Sequence, residues 1–335
     1  MFAFTTRAQP QRHFPCIRVP QEAPRLPIIP LLSSPPLPQV PRNEPTCSLP
    51  YHNIGGHCLL IDDLLLGSWE QMSTFCGDFG GTLANFYDAN VLTAAIAYMD
   101  ENGLSDRCFW VGASDAAEEG VWRWTDGTLV RLGTPLWGDL ADEMQQPTGG
   151  EAENCGLLLF DDHLFLHDAD CSEQHAVVCE QADTPALRYE PTKTGCPLPY
   201  QYIGGRCLFV NPFGTKSWGD MNTYCHNMGG HMAKLDDANL LGYVFDYLTG
   251  NEGMGDVFYW IGATDAETEG VWLWHDGTEV QMGTPFWGDG ASGYQAPDGG
   301  EEHDCAFLKP TDHFFFNDYF CEGDNTHSFG VICEH

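Results

Sequence analysis

The sequence predicts two tandem domains of one α+β type, and three observations lead to that prediction. Six cysteines recur in the same order in the two halves of the chain. Between them three segments recur, as SWEQMSTFC and SWGDMNTYC, FWVGA and YWIGA, and EGVWRWTDGT and EGVWLWHDGT. In each copy, segments whose apolar residues have helical spacing precede short apolar runs. A repeat of this length indicates two independently folded domains.

The repeat divides the chain into four parts. Residues 1–46 form a proline-rich tail predicted to be disordered, 47–180 the first domain, 181–195 a polar linker and 196–335 the second domain. Twelve of the first 50 residues are proline, and they interrupt the apolar run of the tail. A secretory leader needs an unbroken apolar stretch of about 7–15 residues. We therefore recognise no signal peptide and expect the start of the chain to be incomplete.

Each copy opens with a pattern that predicts a small β-hairpin. The pattern is C-x-L-P-Y-x-x-I-G-G-x-C, and its glycine pair supplies the turn. The two cysteines flank that turn, so a disulfide across it is geometrically easy.

Two helices follow the hairpin. The first begins after Ser68 or Ser217, because a serine at this position can accept hydrogen bonds from the first turn of a helix. A glycine pair ends it in each copy. The second helix begins near Asp88 or Asp237. Apolar residues at helical spacing face the core, namely Trp69, Met72, Phe75 and Cys76 in the first helix and Val91, Ala94, Ala95 and Tyr98, or Leu240, Val244 and Tyr247, in the second.

Short strands complete each domain. In the first copy they are predicted at CFWVGA, VWRWT, NCGLLLF and HAVVCE. A long loop rich in glycine, proline, tryptophan and acidic residues separates the second of these from the third, and long ordered loops usually carry function. Eight tryptophans at matched positions are interpreted as core residues, Trp110, Trp122, Trp124, Trp137, Trp260, Trp272, Trp274 and Trp287.

The charge of the chain excludes several classes of partner. The sequence has 48 acidic and 14 basic residues and a net charge of −34. Such a surface repels nucleic acids and anionic lipids and favours multivalent cations or basic partners. No apolar run approaches the roughly 18 residues of a membrane span. We expect neither nucleic-acid binding nor a membrane-spanning segment.

The 14 cysteines indicate an oxidising, extracellular compartment. Twelve of them form the two matched sets, but their spacing alone leaves the connectivity open. The remaining two, Cys16 and Cys108, have no counterpart in the repeat. They either pair with each other or link separate chains into a disulfide-bonded oligomer.

The motifs quoted above resemble those of the C-type lectin domain family. The marks are WVGA and WIGA, the segment E-G-V-W-x-W-x-D-G-T and the recurring cysteines, and the double copy resembles the two-domain lectins of invertebrate innate immunity. The resemblance implies a secreted, non-enzymatic protein that binds surface glycans, including microbial ones, with the help of Ca²⁺. It also implies six disulfides, Cys47–Cys58, Cys76–Cys179, Cys155–Cys171, Cys196–Cys207, Cys225–Cys333 and Cys305–Cys321.

The resemblance further implies a calcium-dependent sugar site in each domain. In the family, the ion is held by an x-Pro-x triplet with a cis proline, a glutamate near the next cysteine and an Asn-Asp pair. Calcium takes 6–8 oxygen ligands, and two sugar hydroxyls can join its shell. The matching residues, expected to contact both metal and sugar, are Gln146, Thr148, Glu153 and Asp168 in the first domain and Asp298, Asn317 and Asp318 in the second.

Both copies depart from the family pattern. His167 replaces the asparagine of the pair in the first domain, and Thr148 replaces a carboxylate of the triplet. In the second domain Ala296 cannot ligate a metal, and His303 stands where the glutamate is expected. Gln146 resembles the first residue of the galactose-type triplet, so a galactose-like preference is expected there.

A second, structural calcium position is implied by an acidic pair after the WVGA or WIGA strand. Its candidate metal ligands are Asp115 and Glu119 in the first domain and Asp265, Glu269 and Asp304 in the second. The alternative interpretation is local, because an aspartate after a strand often caps a turn.

Two other functions remain open at this stage. The altered triplets favour a calcium-independent, protein-binding domain that retains the fold without sugar sites. The acidic composition favours a matrix- or mineral-associated protein that binds calcium diffusely. The scattered acidic residues argue against the last, because such proteins carry continuous aspartate runs.

Overall fold

The computed structural model describes residues 47–139, 144–182, 195–213, 217–289, 294–323, 327 and 329–335. Each domain is α+β, as predicted, with two helices beside one mixed sheet. The proline-rich tail and most of the linker lie outside the described residues. No helix in the described ranges combines the length and hydrophobicity needed to cross a membrane.

The first domain contains seven strands and two helices among its described residues. In chain order they are β1 His52–Ile54, β2 His57–Gly67, α1 Trp69–Asp78, β3 Gly81–Leu83, α2 Ala89–Asn102, β4 Phe109–Ser114, β5 Cys155–Leu159, β6 Phe165–Ala169 and β7 His175–Gln181. The sheet order is β1-β2-β7-β4-β5-β6, with β3 paired to β7. Only β4 and β7 pair in parallel; the other pairs are antiparallel.

The second domain repeats this arrangement. Its elements are β8 Gln201–Ile203, β9 Arg206–Asn211, α3 Trp218–Asn227, β10 His231–Met232, α4 Ala238–Gly250, β11 Phe258–Thr264, β12 Leu273–Trp274, β13 Cys305–Lys309, β14 Phe315–Tyr319 and β15 Phe329–Glu334. The predicted strand VWRWT forms only isolated bridges in the first domain, where Arg123 pairs with Ser114 and Leu129. Its counterpart in the second domain forms β12.

The helices begin where their capping residues predict. Ser68 and Gln71 form a reciprocal capping box at the start of α1, with N–H to side-chain distances of 3.3 Å and 2.9 Å. Asp88 accepts from the N–H of Asn90 at 3.0 Å to cap α2. Asp237 caps α4 in the same way. Local hydrogen bonding thus fixes these boundaries.

The cores contain the eight predicted tryptophans, each at most 3% exposed. All six disulfides that the resemblance implies are present among the described residues. Cys108 is buried and disulfide-bonded, whereas Cys16 lies outside the described residues. The bond between Cys76 and Cys179 closes a separation of 103 residues. A loop of that size corresponds to about 4–5 kcal/mol in the chain-entropy estimate.

The two domains dock through the starts of α2 and α4. Asn239 accepts from the N–H of Ala89 at 3.1 Å and donates to Asp88 at 2.9 Å. Asn90 makes the matching contacts to the second domain: it accepts from the N–H of Ala238 at 3.0 Å and donates to Asp237 at 3.2 Å. Each helix therefore helps to cap the helix of the other domain.

A second set of contacts repeats the same symmetry. Thr134 donates to the carbonyl of His313 at 2.6 Å, and the matching Thr284 donates to the carbonyl of His163 at 2.7 Å. The rings of Phe165 and Phe315, also matched positions, lie 4.7 Å apart. An interface is isologous when a residue of one copy contacts a residue of the other and their two counterparts make the same contact in reverse. The tandem repeat thus forms a pseudo-twofold dimer within one chain.

Candidate functional site

The loop before β5 carries the predicted triplet of the first domain. The peptide bond between Gln146 and Pro147 is cis, Gln146 is buried and Thr148 is exposed. The carboxylate of Asp168, on β6, accepts from the N–H groups of Thr148 at 3.1 Å and Gly149 at 2.6 Å. Thr148 Oγ1 also donates a hydrogen bond to Gln146 Oε1 at 3.3 Å. Asp168 therefore holds the loop in place.

Glu153 packs against the same loop. A Cβ at position 149 would clash with its carboxylate, so Gly149 leaves the room that Glu153 needs. Burial, and then the charge of Asp168, raises the pKa of Glu153. Burial also raises the pKa of Asp168, against the effect of its two N–H donors. The structure thus brings Gln146, Thr148, Glu153 and Asp168 together, as the resemblance implies.

His167 turns away from this loop. Successive side chains of a strand point to opposite faces, so His167 and Asp168 leave β6 in different directions. His167 Nε2 lies 2.6 Å from Oδ2 of the buried Asp162. A Cβ on Gly138 would clash with that pair. His167 therefore neither joins nor blocks the triplet site.

The triplet of the second domain has the same backbone arrangement. The bond between Ala296 and Pro297 is cis, and Asp298 is exposed. Asp318 accepts from the N–H groups of Asp298 at 3.1 Å and Gly299 at 2.8 Å. The scaffold of the site is therefore retained although its first side chain is lost.

His303 takes the place that Glu153 has in the first domain. Its Nδ1 lies 3.5 Å from Asp318 Oδ2, and its ring packs so tightly on Gly299 that a Cβ there would clash. The edge of the ring contacts Phe320 at a centroid distance of 4.3 Å. An imidazole nitrogen is a poor calcium ligand, because this ion prefers oxygen. The second site is thus chemically different from the first.

Asn317 points away from Asp298 and Asp318. Its Nδ2 donates to Asp312 Oδ2 at 2.6 Å, and its Oδ1 accepts from Lys309 Nζ at 3.3 Å. This is the direction that His167 takes in the first domain, for the same reason of strand alternation. The structure therefore brings together two of the three predicted residues of the second site.

The position predicted for a structural calcium ion contains one unusual atom in each domain. Asp115 and Asp265 are buried, and Oδ2 of each accepts from the N–H of Gly120 or Gly270 at 2.9 Å. Oδ1 of each is also buried, and no hydrogen bond from the described residues reaches it. An unsatisfied buried acceptor costs about 1–3 kcal/mol, and more when charged. These two oxygen atoms therefore fit a bound cation.

Further carboxylates surround Asp115. Desolvation, and then the charges of Asp115, Glu151 and Asp168, raise the pKa of Glu119. Glu119 Oε1 lies 3.8 Å from the position that a Cβ on Gly150 would take. The predicted pair is therefore close to the triplet loop. Mutual repulsion among these acids is what a divalent ion would relieve.

The second domain repeats this acidic cluster. Desolvation raises the pKa of Glu269, with smaller effects from Asp265 and Asp304. The carbonyl of Asp304 accepts from Thr264 Oγ1 at 2.6 Å and from the N–H of Asp265 at 3.3 Å. Asp304 is thereby held beside the two predicted ligands. The donor set of all three carboxylates fits Ca²⁺.

A third acidic group lies between the domains and involves none of the predicted residues. Asp139, Asp162 and Asp289 can each place a carboxylate oxygen within 4.8 Å of the other two. Burial, followed by the charges of Asp139, Asp162 and Asp312, raises the pKa of Asp289 to about 7. His313 Nε2 lies 3.2 Å from Asp139 Oδ2, without hydrogen-bond geometry. In the sequence, Asp139 and Asp289 end the segment WGD of each copy and Asp162 stands in FDDH, and the three carboxylates meet only when the two domains dock.

Comparison with protein families gives one match in each repeat. The model described as "Lectin C-type domain" matches residues 66–181 and 214–335, which together make up more than half of the chain.

Three curated relatives illustrate the similarity. C-type mannose receptor 2 of Homo sapiens is 23% identical over 221 residues, covering 64% of this chain and 14% of the receptor. Hepatic lectin of Gallus gallus is 29% identical over 135 residues, covering 40% and 57% respectively. Perlucin of Haliotis laevigata is 28% identical over 131 residues, covering 38% and 77%. The chain therefore spans only part of the first two relatives.

Several solved structures are similar to part of this chain. The carbohydrate-recognition domain of the mouse scavenger receptor C-type lectin is 25% identical, with a TM-score of 0.34, covering 42% of this chain and 98% of its own. A structure described as an SPL-1–GlcNAc complex is 20% identical, with a TM-score of 0.35, covering 43% and 96%. A calcium-independent type II antifreeze protein is 22% identical, with a TM-score of 0.33, covering 44% and 98%.

Proposed function

The chain belongs to the C-type lectin family, and from this membership we propose that it is a carbohydrate-binding recognition protein. Its ligands are surface glycans, including microbial ones, and its role is pattern recognition in innate immunity. It is a binding protein and not an enzyme. The six disulfides support an extracellular location, since such bonds persist in oxidising compartments.

One observation carries this proposal, the grouping of Gln146, Thr148, Glu153 and Asp168 on one loop of the first domain. Asp168 orders the loop backbone, Gln146 and Thr148 offer an amide and a hydroxyl, and Glu153 adds a second carboxylate. A bound Ca²⁺ would supply coordination positions for two neighbouring sugar hydroxyls. The side chains on this loop then orient those hydroxyls by hydrogen bonds.

The two acidic clusters support calcium binding beside these loops. The buried Oδ1 atoms of Asp115 and Asp265 lack a donor among the described residues, and a cation would compensate their charge. Because proteins bind calcium through deprotonated carboxylates, affinity should fall as pH falls. Glu119 and Glu269 would protonate early in that range, because their pKa values are raised.

The second domain favours a second candidate function, calcium-independent binding of protein. His303 stands beside Asp318 in place of a carboxylate, and Ala296 provides no ligand. The two domains would then differ in what they bind. Linking two weak sites in one chain raises avidity through effective concentration, provided that a ligand reaches both.

A glycan array with the full chain tests the sugar proposal. We expect galactose-terminated glycans to bind, a calcium chelator to abolish the signal, and free galactose to compete better than mannose. Gln146→Ala should weaken glycan binding about tenfold or more, because it removes a buried amide beside the position proposed for the sugar hydroxyls. Gln174→Ala is the matched control, since Gln174 is an exposed glutamine on the loop before β7.

Three other results would contradict the proposal. Glycan binding that survives both the chelator and Gln146→Ala would place the sugar site elsewhere. Absence of glycan and calcium binding would support the protein-binding alternative. Weak calcium uptake at many sites, suppressed by salt, would instead support the acidic matrix protein.

A further inference from the structure

Three exposed histidines gather on one surface of the second domain. His226 is in the last turn of α3, His231 is in β10 and His275 follows β12. The ring centroids of His231 and His275 lie 4.4 Å apart, and those of His226 and His231 lie 6.1 Å apart. The three side chains come from three separate elements, so the fold and not the local sequence brings them together.

The first domain has the same scaffold without these histidines. The residues at the matched positions are Gly77, Thr82 and Thr125. There Thr125 Oγ1 donates a hydrogen bond to Asn85 Oδ1 at 2.8 Å. Because the fold forms without the histidines in one copy, they are not required for folding. Their joint presence in the other copy calls for a different explanation.

The tautomer of His226 is fixed by its neighbour. Its Nδ1 lies 2.8 Å from the carbonyl oxygen of Asn222, which can only accept a hydrogen bond. Nδ1 therefore carries the proton, and Nε2 keeps its lone pair. Histidines that bind metals commonly donate their other N–H to a backbone carbonyl in this way.

We propose that His226, His231 and His275 form a surface site for a divalent transition-metal ion, with Zn²⁺ as the reference ion. Imidazole nitrogen suits zinc, copper and nickel, whereas calcium prefers oxygen. Two imidazoles that share one zinc ion at about 2.1 Å have ring centroids about 5 Å apart. The observed distances lie on either side of that value. The three exposed rings would reorient to share one ion, with water as the fourth ligand.

Calorimetric titration of ZnCl₂ into the untagged full chain tests this site. Saturating Ca²⁺ is present throughout, so that carboxylate sites do not contribute. We expect one zinc ion per chain at pH 7.5 and weaker binding at pH 5.5, because protons compete with the metal for imidazole nitrogen. His231→Thr and His275→Thr, which restore the residues of the first domain, should each weaken zinc binding about tenfold or more. His52→Asn, which removes an exposed histidine of the first domain, should leave it unchanged.

The outcomes separate this proposal from the sugar site. Absence of a saturable zinc isotherm would overturn it, as would equal affinities in the parent chain, His231→Thr and His275→Thr. Thermal unfolding of each variant in chelator shows whether the fold is retained. His226→Asn removes the third proposed ligand, which lies in helix α3, and it should also weaken zinc binding. Glycan binding in calcium should be unaffected by all three substitutions, so failure of either proposal can be recognised independently.

Discussion

At the residue scale, the most informative atoms are the buried Oδ1 oxygens of Asp115 and Asp265. Each aspartate satisfies one oxygen with a glycine N–H, which is the turn-capping role that the sequence also allows. The second oxygen gains nothing from that turn and is removed from water. A local cap alone therefore does not account for these side chains, whereas the calcium ion proposed above would compensate the second oxygen.

The first prediction tests whether the unsatisfied Oδ1 of Asp115 holds calcium. Asp115→Asn keeps an acceptor for the N–H of Gly120 but removes the buried charge. We expect unchanged or higher stability in chelator and a smaller calcium-induced rise in Tm, with none left in the double variant that adds Asp265→Asn. Calcium at about 100 times its Kd stabilises a folded protein by about 2.7 kcal/mol. Differential scanning calorimetry with and without calcium measures both effects.

A matched control removes the same charge from an exposed turn. Asp126 accepts locally from Thr128, and Asp126→Asn keeps that acceptor. Its calcium response should equal that of the parent chain. Equal calcium shifts in Asp115→Asn, the double variant and the parent would show that these aspartates do not hold the ion.

At the element scale, α2 and α4 depend on each other for capping. The first N–H groups of a helix have no partner within it and need one from outside. Asn239 supplies such a partner to α2, and Asn90 supplies one to α4. The helix starts are therefore part of the interface between the domains.

Asn239→Ala should destabilise the docked chain by about 1–3 kcal/mol, because it leaves the N–H of Ala89 unpaired in a buried place. Asn90→Ala should do the same, and the double variant should cost less than the sum, since both belong to one network. Urea unfolding at equilibrium measures these free energies. Asn102→Ala is the control, because this exposed asparagine bonds only within α2, to the carbonyl of Tyr98. Additive losses, or a loss as large in the control, would argue against shared capping.

At the scale of the whole molecule, docking places acidic residues of both domains side by side. Asp289 lies in this group, and burial raises its pKa to about 7. An unfolded aspartate titrates near 4. Between these two values the folded chain holds a proton that the unfolded chain has lost. Stability should therefore fall as pH rises from about 4 to about 7, and this contribution should stay constant above that range.

Asp289→Asn should remove this part of the pH dependence. The variant lacks the carboxylate that is costly to ionise, so its free energy of unfolding at pH 8 should exceed that of the parent chain. The difference should narrow at pH 5, where the parent is protonated. Urea unfolding at both pH values provides the measurement, with Asp256→Asn as the control for loss of an exposed carboxylate. A variant that is less stable than its parent at pH 8 would contradict this assignment.

The sequence alone determined the repeat, the α+β class, the helix starts at Ser68, Asp88 and Asp237, and the buried tryptophans. These features follow from local rules of capping, periodicity and hydrophobic burial. The strand VWRWT was less predictable, because pairing needs a partner and its apolar pattern does not supply one. The motifs also indicated the family and hence the disulfide pairs.

Only the tertiary structure decided which candidate residues meet. Strand alternation sends Asp168 and Asp318 to the triplet loops but His167 and Asn317 away from them, although each pair is adjacent in the sequence. Docking joins Asp139 with Asp289, and folding of the second domain gathers His226, His231 and His275. These contacts link residues far apart in the chain, so they depend on how whole elements pack and not on any local pattern.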